Sequence, residues 1–200
     1  MKKTQNRIIS PHAGWRLCLY VLLLTFASCK SCKKEINLLP DETQTGANTF
    51  GCLVDGKAWI PTGLSTVPAT KPVSGGYISA LPPIYFNTTN VWLRTYKDDG
   101  TSFVLYLRNV DKIGTYPLNF DTQSAPTNLY PQNCAELIRY SNSSSENYIT
   151  TSVYTGSVEI TRADPINLLL SGRFSFTGVS NTGKTINVTD GRFDINQRTQ

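Results

Sequence analysis

Apolar residues alternate with polar ones in short runs along most of the chain after residue 50. Phe103, Leu105 and Leu107, for example, occupy every second position of one run, which sends one face of a strand towards a core. The runs are rich in β-branched and aromatic residues, and helical periodicity is nearly absent. This pattern predicts an all-β fold over residues 50–200, an antiparallel β-sandwich, with a lipocalin-like β-barrel as the alternative.

Turn-forming residues separate these runs at regular places. Asp-Gly is a strong signal for a two-residue hairpin, because both of its turn positions require a positive φ. We predict turns at four sites: Asp55-Gly56, Asp98-Asp99-Gly100, Asp164-Pro165 and Asn181-Thr182-Gly183.

The last predicted strand, residues 184–195, contains a change of parity. Ile186 and Val188 occupy even positions, whereas Phe193 and Ile195 occupy odd ones. Side chains of a strand alternate with period two, so one inserted residue is needed for all four to face inward. Asp190-Gly191 is the place for it, either as a β-bulge, which we favour, or as a further tight turn.

Other stretches lack a clear strand pattern. Residues 73–83 and 121–148 are predicted to be irregular, with a helical turn within 133–140 because Ala135, Glu136 and Leu137 favour one. Residues 29–49 are polar and are predicted to be a flexible tether. We therefore expect three segments: 1–28, a 29–49 tether and one β domain over 50–200.

The first 28 residues resemble a lipoprotein export signal. A basic start is followed by the apolar run 17–26 and by small residues before Cys29. We predict cleavage before Cys29 and its lipidation, with plain secretion and an uncleaved membrane helix as alternatives. The apolar run is short for a helix that spans a bilayer, which needs roughly 20 residues.

Charge and histidine content exclude several functions. Removal of residues 1–28 leaves 15 basic and 14 acidic residues, so the mature chain has no electrostatic reason to bind nucleic acid. The single histidine, His12, lies in the signal. The mature chain thus lacks imidazole for His-dependent nucleophilic sites and for His-ligated metals. We predict no catalytic residue, no metal site and no cofactor.

Two cysteines lie in the predicted domain. Cys52 and Cys134 could form a disulfide, since disulfides are permitted outside the cytoplasm, and Cys32 is a third candidate for such a bond. The alternative is that Cys52 and Cys134 are two buried free thiols. The cysteines lack the paired spacing of a metal site.

Aromatic residues provide the candidate ligand site. Trp92, Tyr96 and Tyr106 share the alternate face of one predicted hairpin and could form a flat platform for a sugar ring. The alternative is that this face is a second side of the core, since strands favour aromatic residues in any case. Asp190 and Asp194 could hold calcium, but they lack the further oxygen ligands that such a loop requires.

Several sequence strings resemble an uncharacterised family of Bacteroidetes envelope lipoproteins. The strings are Asn48-Thr49-Phe50-Gly51-Cys52-Leu53-Val54-Asp55-Gly56-Lys57, Ser171-Gly172-Arg173-Phe174-Ser175-Phe176 and Thr189-Asp190-Gly191-Arg192-Phe193-Asp194. The resemblance implies an envelope lipoprotein with a β-rich domain, and it implies no activity.

Together these observations predict a lipid-anchored outer-membrane protein that faces either the periplasm or the cell surface. We expect its β domain to bind a glycan or an envelope protein without catalysis. The alternative is a glycosidase built from carboxylates alone, since such enzymes need no histidine.

Overall fold

Antiparallel strands make up most of the described molecule. The computed structural model describes residues 34–64, 69–79, 89–121, 133–141 and 144–200. Its strands are β1 (Thr49–Val54), β2 (Lys57–Trp59), β3 (Val73–Ser79), β4 (Thr89–Lys97), β5 (Thr101–Leu107), β6 (Gly114–Leu118), β7 (Cys134–Tyr140), β8 (Ser145–Ile149), β9 (Gly156–Asp164), β10 (Leu169–Val179) and β11 (Thr185–Asn196). The all-β antiparallel prediction is confirmed.

The strands form one large curled sheet. Its order is β2-β1-β11-β10-β8-β7-β5-β4-β3, and β9 and β6 branch from β10. The segment after β2 returns to the far end of the sheet, where the amides of Thr62 and Gly63 donate to the carbonyl of Tyr96 on β4 (3.1 and 2.9 Å). The sheet thus combines features of both predicted alternatives, because opposite halves share one core while hydrogen bonding continues from β2 to β3.

Aromatic rings from distant strands fill this core. The Trp59 and Phe103 ring centroids lie 4.6 Å apart, and those of Phe50 and Phe174 lie 5.0 Å apart. Such pairs each contribute about 0.5–1.5 kcal/mol beyond their buried area. Trp59 also donates from Nε1 to Thr101 Oγ1 at 2.7 Å, which satisfies its polar atom. The core therefore joins β1, β2, β5 and β10 directly.

The predicted turns are confirmed where local chemistry dictates them. Asp55 and Gly56 adopt φ of 49° and 78° between β1 and β2. Gly100 and Gly183 adopt positive φ in the turns before β5 and β11, and 165–168 join β9 to β10.

The predicted bulge in β11 is also confirmed. On β10, Phe174 pairs with Gly191 and Phe176 with Val188, so Ser175 alone faces two residues of β11. Asp190 takes the positive φ (54°), not the glycine that follows it. Gly191 serves a different purpose, because a Cβ there would come within 2.6 Å of three Phe174 ring carbons.

Two segments predicted to lack strands belong to the sheet. Residues 134–140 form β7, which pairs with both β5 and β8, so the predicted helical turn is wrong. Residues 73–79 form β3 against β4 despite two consecutive glycines. Pairing with neighbouring strands overrides local propensity in both cases.

The predicted flexible tether over 29–49 is wrong for its second part. Glu35–Gln200 form one compact unit, and residues 34–36 make a single helical turn. Glu35 Oε2 accepts the Ala58 amide at 2.9 Å, and Leu39 is buried. Residues 40–47, here called the strap, then cross the outer side of β10 and β11.

A buried carboxylate holds the strap in place. Asp194, which is 1% exposed, accepts from Thr43 Oγ1 (2.6 Å), from the amides of Thr45 and Gly46 (both 2.9 Å) and from Ser171 Oγ (2.7 Å). Burial by itself would raise the pKa of Asp194, but the hydrogen bonds outweigh burial and lower the pKa to about 2.

We predict that Gly191→Ala lowers the free energy of unfolding by about 1–3 kcal/mol, because the added methyl group overpacks the core against Phe174. Gly114→Ala is the matched control, since a Cβ at Gly114 meets nothing within 4 Å. Urea denaturation measures both. Equal stability of the two variants would contradict the close packing.

We predict that Asp194 makes stability depend on pH. A pKa lowered from 3.8 to about 2 stabilises the fold at neutral pH by about 2 kcal/mol, and this contribution disappears as pH falls from about 5 to 2. Asp194→Asn should be less stable at pH 7 and should flatten this acid limb, because an amide NH₂ would face hydrogen-bond donors. Asp98→Asn, at an exposed turn, is the control. An unchanged acid limb in Asp194→Asn would refute the assignment.

Candidate functional site

The outer sides of β4, β5 and β7 carry a second apolar cluster, separate from the main core. Val104, Tyr106, Cys134 and Ile138 are its buried members, and Trp92 packs against them. Register explains the grouping, since Trp92 pairs with Tyr106 across β4 and β5, and Tyr106 pairs with Cys134 across β5 and β7. We call this surface, together with the polar residues on it, the aromatic face.

The three predicted platform residues do lie on this face. The Trp92 and Tyr106 ring centroids are 6.5 Å apart, with an angle of 32° between the planes. Tyr96 is opposite Ser102 on β5, and the Arg94 guanidinium carbon lies 5.1 Å from the Tyr96 ring centroid. Tyr106, however, is only 7% exposed, so the three rings do not form one open flat platform.

Polar atoms without partners are concentrated on the aromatic face. Among the described residues, the buried side-chain atoms that lack a hydrogen bond of normal geometry include Trp92 Nε1, Arg94 Nε, Ser102 Oγ and both carboxylate oxygens of Glu136. A buried polar group left unsatisfied costs about 1–3 kcal/mol. Most buried polar groups in proteins are satisfied, so a group of exceptions on one surface makes that surface a candidate site, at which ordered water or a bound molecule would supply the partners.

Glu136 is the strongest of these exceptions. It is 1% exposed and lies directly opposite Val104, whose other neighbour across the sheet is Arg94. Burial raises the pKa of Glu136, while the Asn147 amide and the Arg94 guanidinium partly offset the rise. Burial likewise raises the pKa of Tyr106. The face thus presents a carboxyl group, a guanidinium and an indole N–H beside aromatic rings.

Glu136, Arg94 and Ser102 were not predicted as site residues. Glu136 was assigned to a helical turn, and only its pairing with β5 and β8 places it on the same side as Trp92. The sequence does contain a usable signal. Polar Glu136 lies between apolar Ala135 and Leu137, and this alternation with period two is expected for a strand.

Of the two alternatives for Cys52 and Cys134, the structure has the two buried thiols and not the disulfide. Cys52 and Cys134 are free and fully buried, and they belong to different clusters, Cys52 to the main core and Cys134 to the aromatic face. The sheet separates them, since one points inward and the other outward. Burial raises the pKa of both thiols, so both stay protonated and behave as small apolar groups.

The other candidate site residues from the sequence analysis are not part of the aromatic face. Asp194 is committed to the strap, and Asp190 lies exposed in the bulge. No three His, Cys, Asp or Glu side chains among the described residues are grouped so that they could hold a metal ion. Cys29 and Cys32 lie outside the described residues.

No helix in the described ranges is both long and apolar enough to cross a membrane.

Comparison with known proteins places the chain in a family without assigning it an activity. The chain matches no curated protein and no solved structure. A family model described as "Domain of unknown function (DUF6252)" matches residues 87–194, more than half of the chain, and includes all of β4, β5 and β7. The protein therefore belongs to the DUF6252 family.

Proposed function

We propose that this protein is a lipid-anchored protein of the cell envelope whose β domain binds a glycan on the aromatic face without catalysis. The observation that carries the proposal is the group of buried, unsatisfied polar atoms beside Trp92 and Tyr106. Binding sites for small molecules commonly combine apolar and aromatic walls with a few well-placed polar groups.

A glycan fits the chemistry of these atoms. Glu136 offers acceptors when ionised, whereas Trp92 Nε1 and Arg94 Nε offer only donors. A sugar hydroxyl both donates and accepts, so neighbouring hydroxyls of one ring could satisfy both kinds of group. The apolar face of the same ring would pack on Trp92, which is half-buried and keeps part of its surface accessible.

A glycan array probed with the full chain in detergent tests this proposal. We expect selective binding to a set of glycans, with affinity at least tenfold lower in Trp92→Ala and in Glu136→Gln. A loss of this size corresponds to about 1.4 kcal/mol, which is within the range for one stacking or charged hydrogen-bond contact. Thermal unfolding of each variant measures whether it remains folded.

Tyr154→Ala is the matched control, because Tyr154 lies in the segment between β8 and β9 and is not a member of the apolar cluster on the aromatic face. It should bind as the unmodified protein does. Glycan binding that persists unchanged in both Trp92→Ala and Glu136→Gln, or no glycan binding at all, would refute the proposal. Capture of a protein partner that depends on Trp92 would instead favour the envelope-protein alternative.

The glycosidase alternative has less support from the carboxylates of the described chain. Glu42 and Glu159 both contact Arg173, at 2.6 and 3.5 Å, so these two carboxylates share one arginine. A general acid needs a raised pKa. The hydrogen bond from Arg173 lowers the pKa of Glu42. Burial raises the pKa of Glu136, but no second carboxylate of the described residues is among the groups that act on it.

The proposed lipid anchor rests on the sequence around Cys29 and on the resemblance to envelope lipoproteins. Labelling with a palmitate analogue in a bacterial host that processes lipoproteins tests it. We expect incorporation into the unmodified protein, none into Cys29→Ser, and normal incorporation into Cys32→Ser, the matched control. Label that remains in Cys29→Ser would exclude Cys29 as the attachment site.

A further inference from the structure

Two arginines lie directly opposite each other on the outer side of the sheet, in the half away from the aromatic face. Arg173 on β10 pairs in register with Arg192 on β11. Side chains at directly opposed positions have Cβ atoms about 4.5–5.5 Å apart, and like charges there destabilise a sheet. The pair therefore requires negative charge nearby.

Two carboxylates contact Arg173, Glu42 from the strap at 2.6 Å and Glu159 on β9 at 3.5 Å. Arg173 approaches Glu42 Oε2 with both Nε (2.7 Å) and Nη2 (2.6 Å), so one carboxylate oxygen receives both contacts. The positive charge of Arg192 also lowers the pKa of Glu42. Arg192 itself has no carboxylate within ion-pair distance in the part of the chain that the structure describes. Its side chain donates to the carbonyls of Asp190 and Pro40 at 3.3 and 3.4 Å.

Two cavities adjoin this pair of arginines. One, of about 90 Å³, lies beside the strap and has Asp41, Thr43 and Thr161 in its lining. The other, of about 260 Å³, has Ser157, Ser175, Glu159 and Asp190 in its lining. Both include Glu42, Arg173 and Arg192 in their walls, so the two form one groove along the pair of arginines.

We propose that this groove binds an acidic sugar, whose anionic group takes the place of the Glu42 carboxylate between Arg173 and Arg192. The ring hydroxyls would then donate to Glu159 and Asp190 and accept from Ser157 and Ser175. This assignment accounts for acidic and basic side chains lining one groove, since a sugar acid needs acceptors for its hydroxyls and donors for its acidic group.

Glu42 can be displaced at small cost. Its side chain is 41% exposed and that of Arg173 is 54% exposed, and exposed ion pairs contribute little to stability. Asp194 holds the strap independently through Thr43, Thr45 and Gly46. The Glu42 side chain can therefore leave the arginines while the strap stays in place.

Calorimetric titration of the full chain in detergent tests the site with four probes: glucuronate, glucose 6-phosphate, glucose and inorganic phosphate. We expect one of the two acidic sugars to bind at least tenfold more tightly than glucose and than phosphate. Arg192→Gln should weaken this binding at least tenfold, since a charged hydrogen bond is lost. Glu42→Gln should strengthen it about two- to fivefold, because the internal competitor loses its charge.

Arg198→Gln is the matched control and should leave binding unchanged, since within the described ranges the Arg198 side chain donates only to the Ile166 carbonyl. Trp92→Ala should also leave it unchanged, which separates this site from the aromatic face. Arg192→Lys, which keeps the charge, should bind the acidic sugar with intermediate affinity. This variant tests the role of Arg192 even if Arg192→Gln does not fold. Equal binding of glucose and the acidic sugars, phosphate binding as tight as theirs, or weaker binding in Glu42→Gln would overturn the proposal.

Discussion

The inserted residue in β11 determines what the two sides of this half of the sheet present. Before the bulge, Ile186 and Val188 face the core, and after it Phe193 and Ile195 do. Without the inserted residue, Phe193 would point outward, and the charged side chains of Arg192 and Asp194 would point into the core. The bulge therefore places Asp194 where it can hold the strap and Arg192 where it can face Arg173. Both the strap and the arginine groove depend on this one change of register.

The outer surfaces of the two halves of the sheet are used differently. Over β10 and β11, hydrogen bonds from the strap and from Ser171 satisfy the buried carboxylate of Asp194, and these bonds stabilise the fold. Over β4, β5 and β7, the buried carboxylate of Glu136 has no hydrogen bond of normal geometry, although Asn147 and Arg94 lie near it. Two buried acids of the same fold thus differ in how well they are satisfied. In our proposal, the deficit at Glu136 is offset when a ligand binds.

The features that local chemistry dictates could be predicted from the sequence. Asp55-Gly56 formed the expected hairpin, and the parity change around Asp190 identified the bulge, because each depends only on neighbouring residues. The helical-turn prediction for β7 failed because its strand character comes from pairing with two other strands. The strap was missed because Asp194, which orders it, lies about 150 positions away. Trp92 and Tyr106 were found by alternation, whereas Glu136 required the sheet register.

The early start of the folded unit changes what a lipid anchor would do. A flexible tether over residues 29–49 would let the domain move up to about 70 Å from the membrane, at roughly 3.3–3.6 Å per extended residue. Glu35 is already bound to Ala58, and five residues separate it from Cys29, so chain length alone limits the distance between Cys29 and Glu35 to about 20 Å. An anchor at Cys29 would then hold the domain close to the lipid surface. Ligands of the arginine groove, which lies beside the strap, would then bind within a short distance of the membrane.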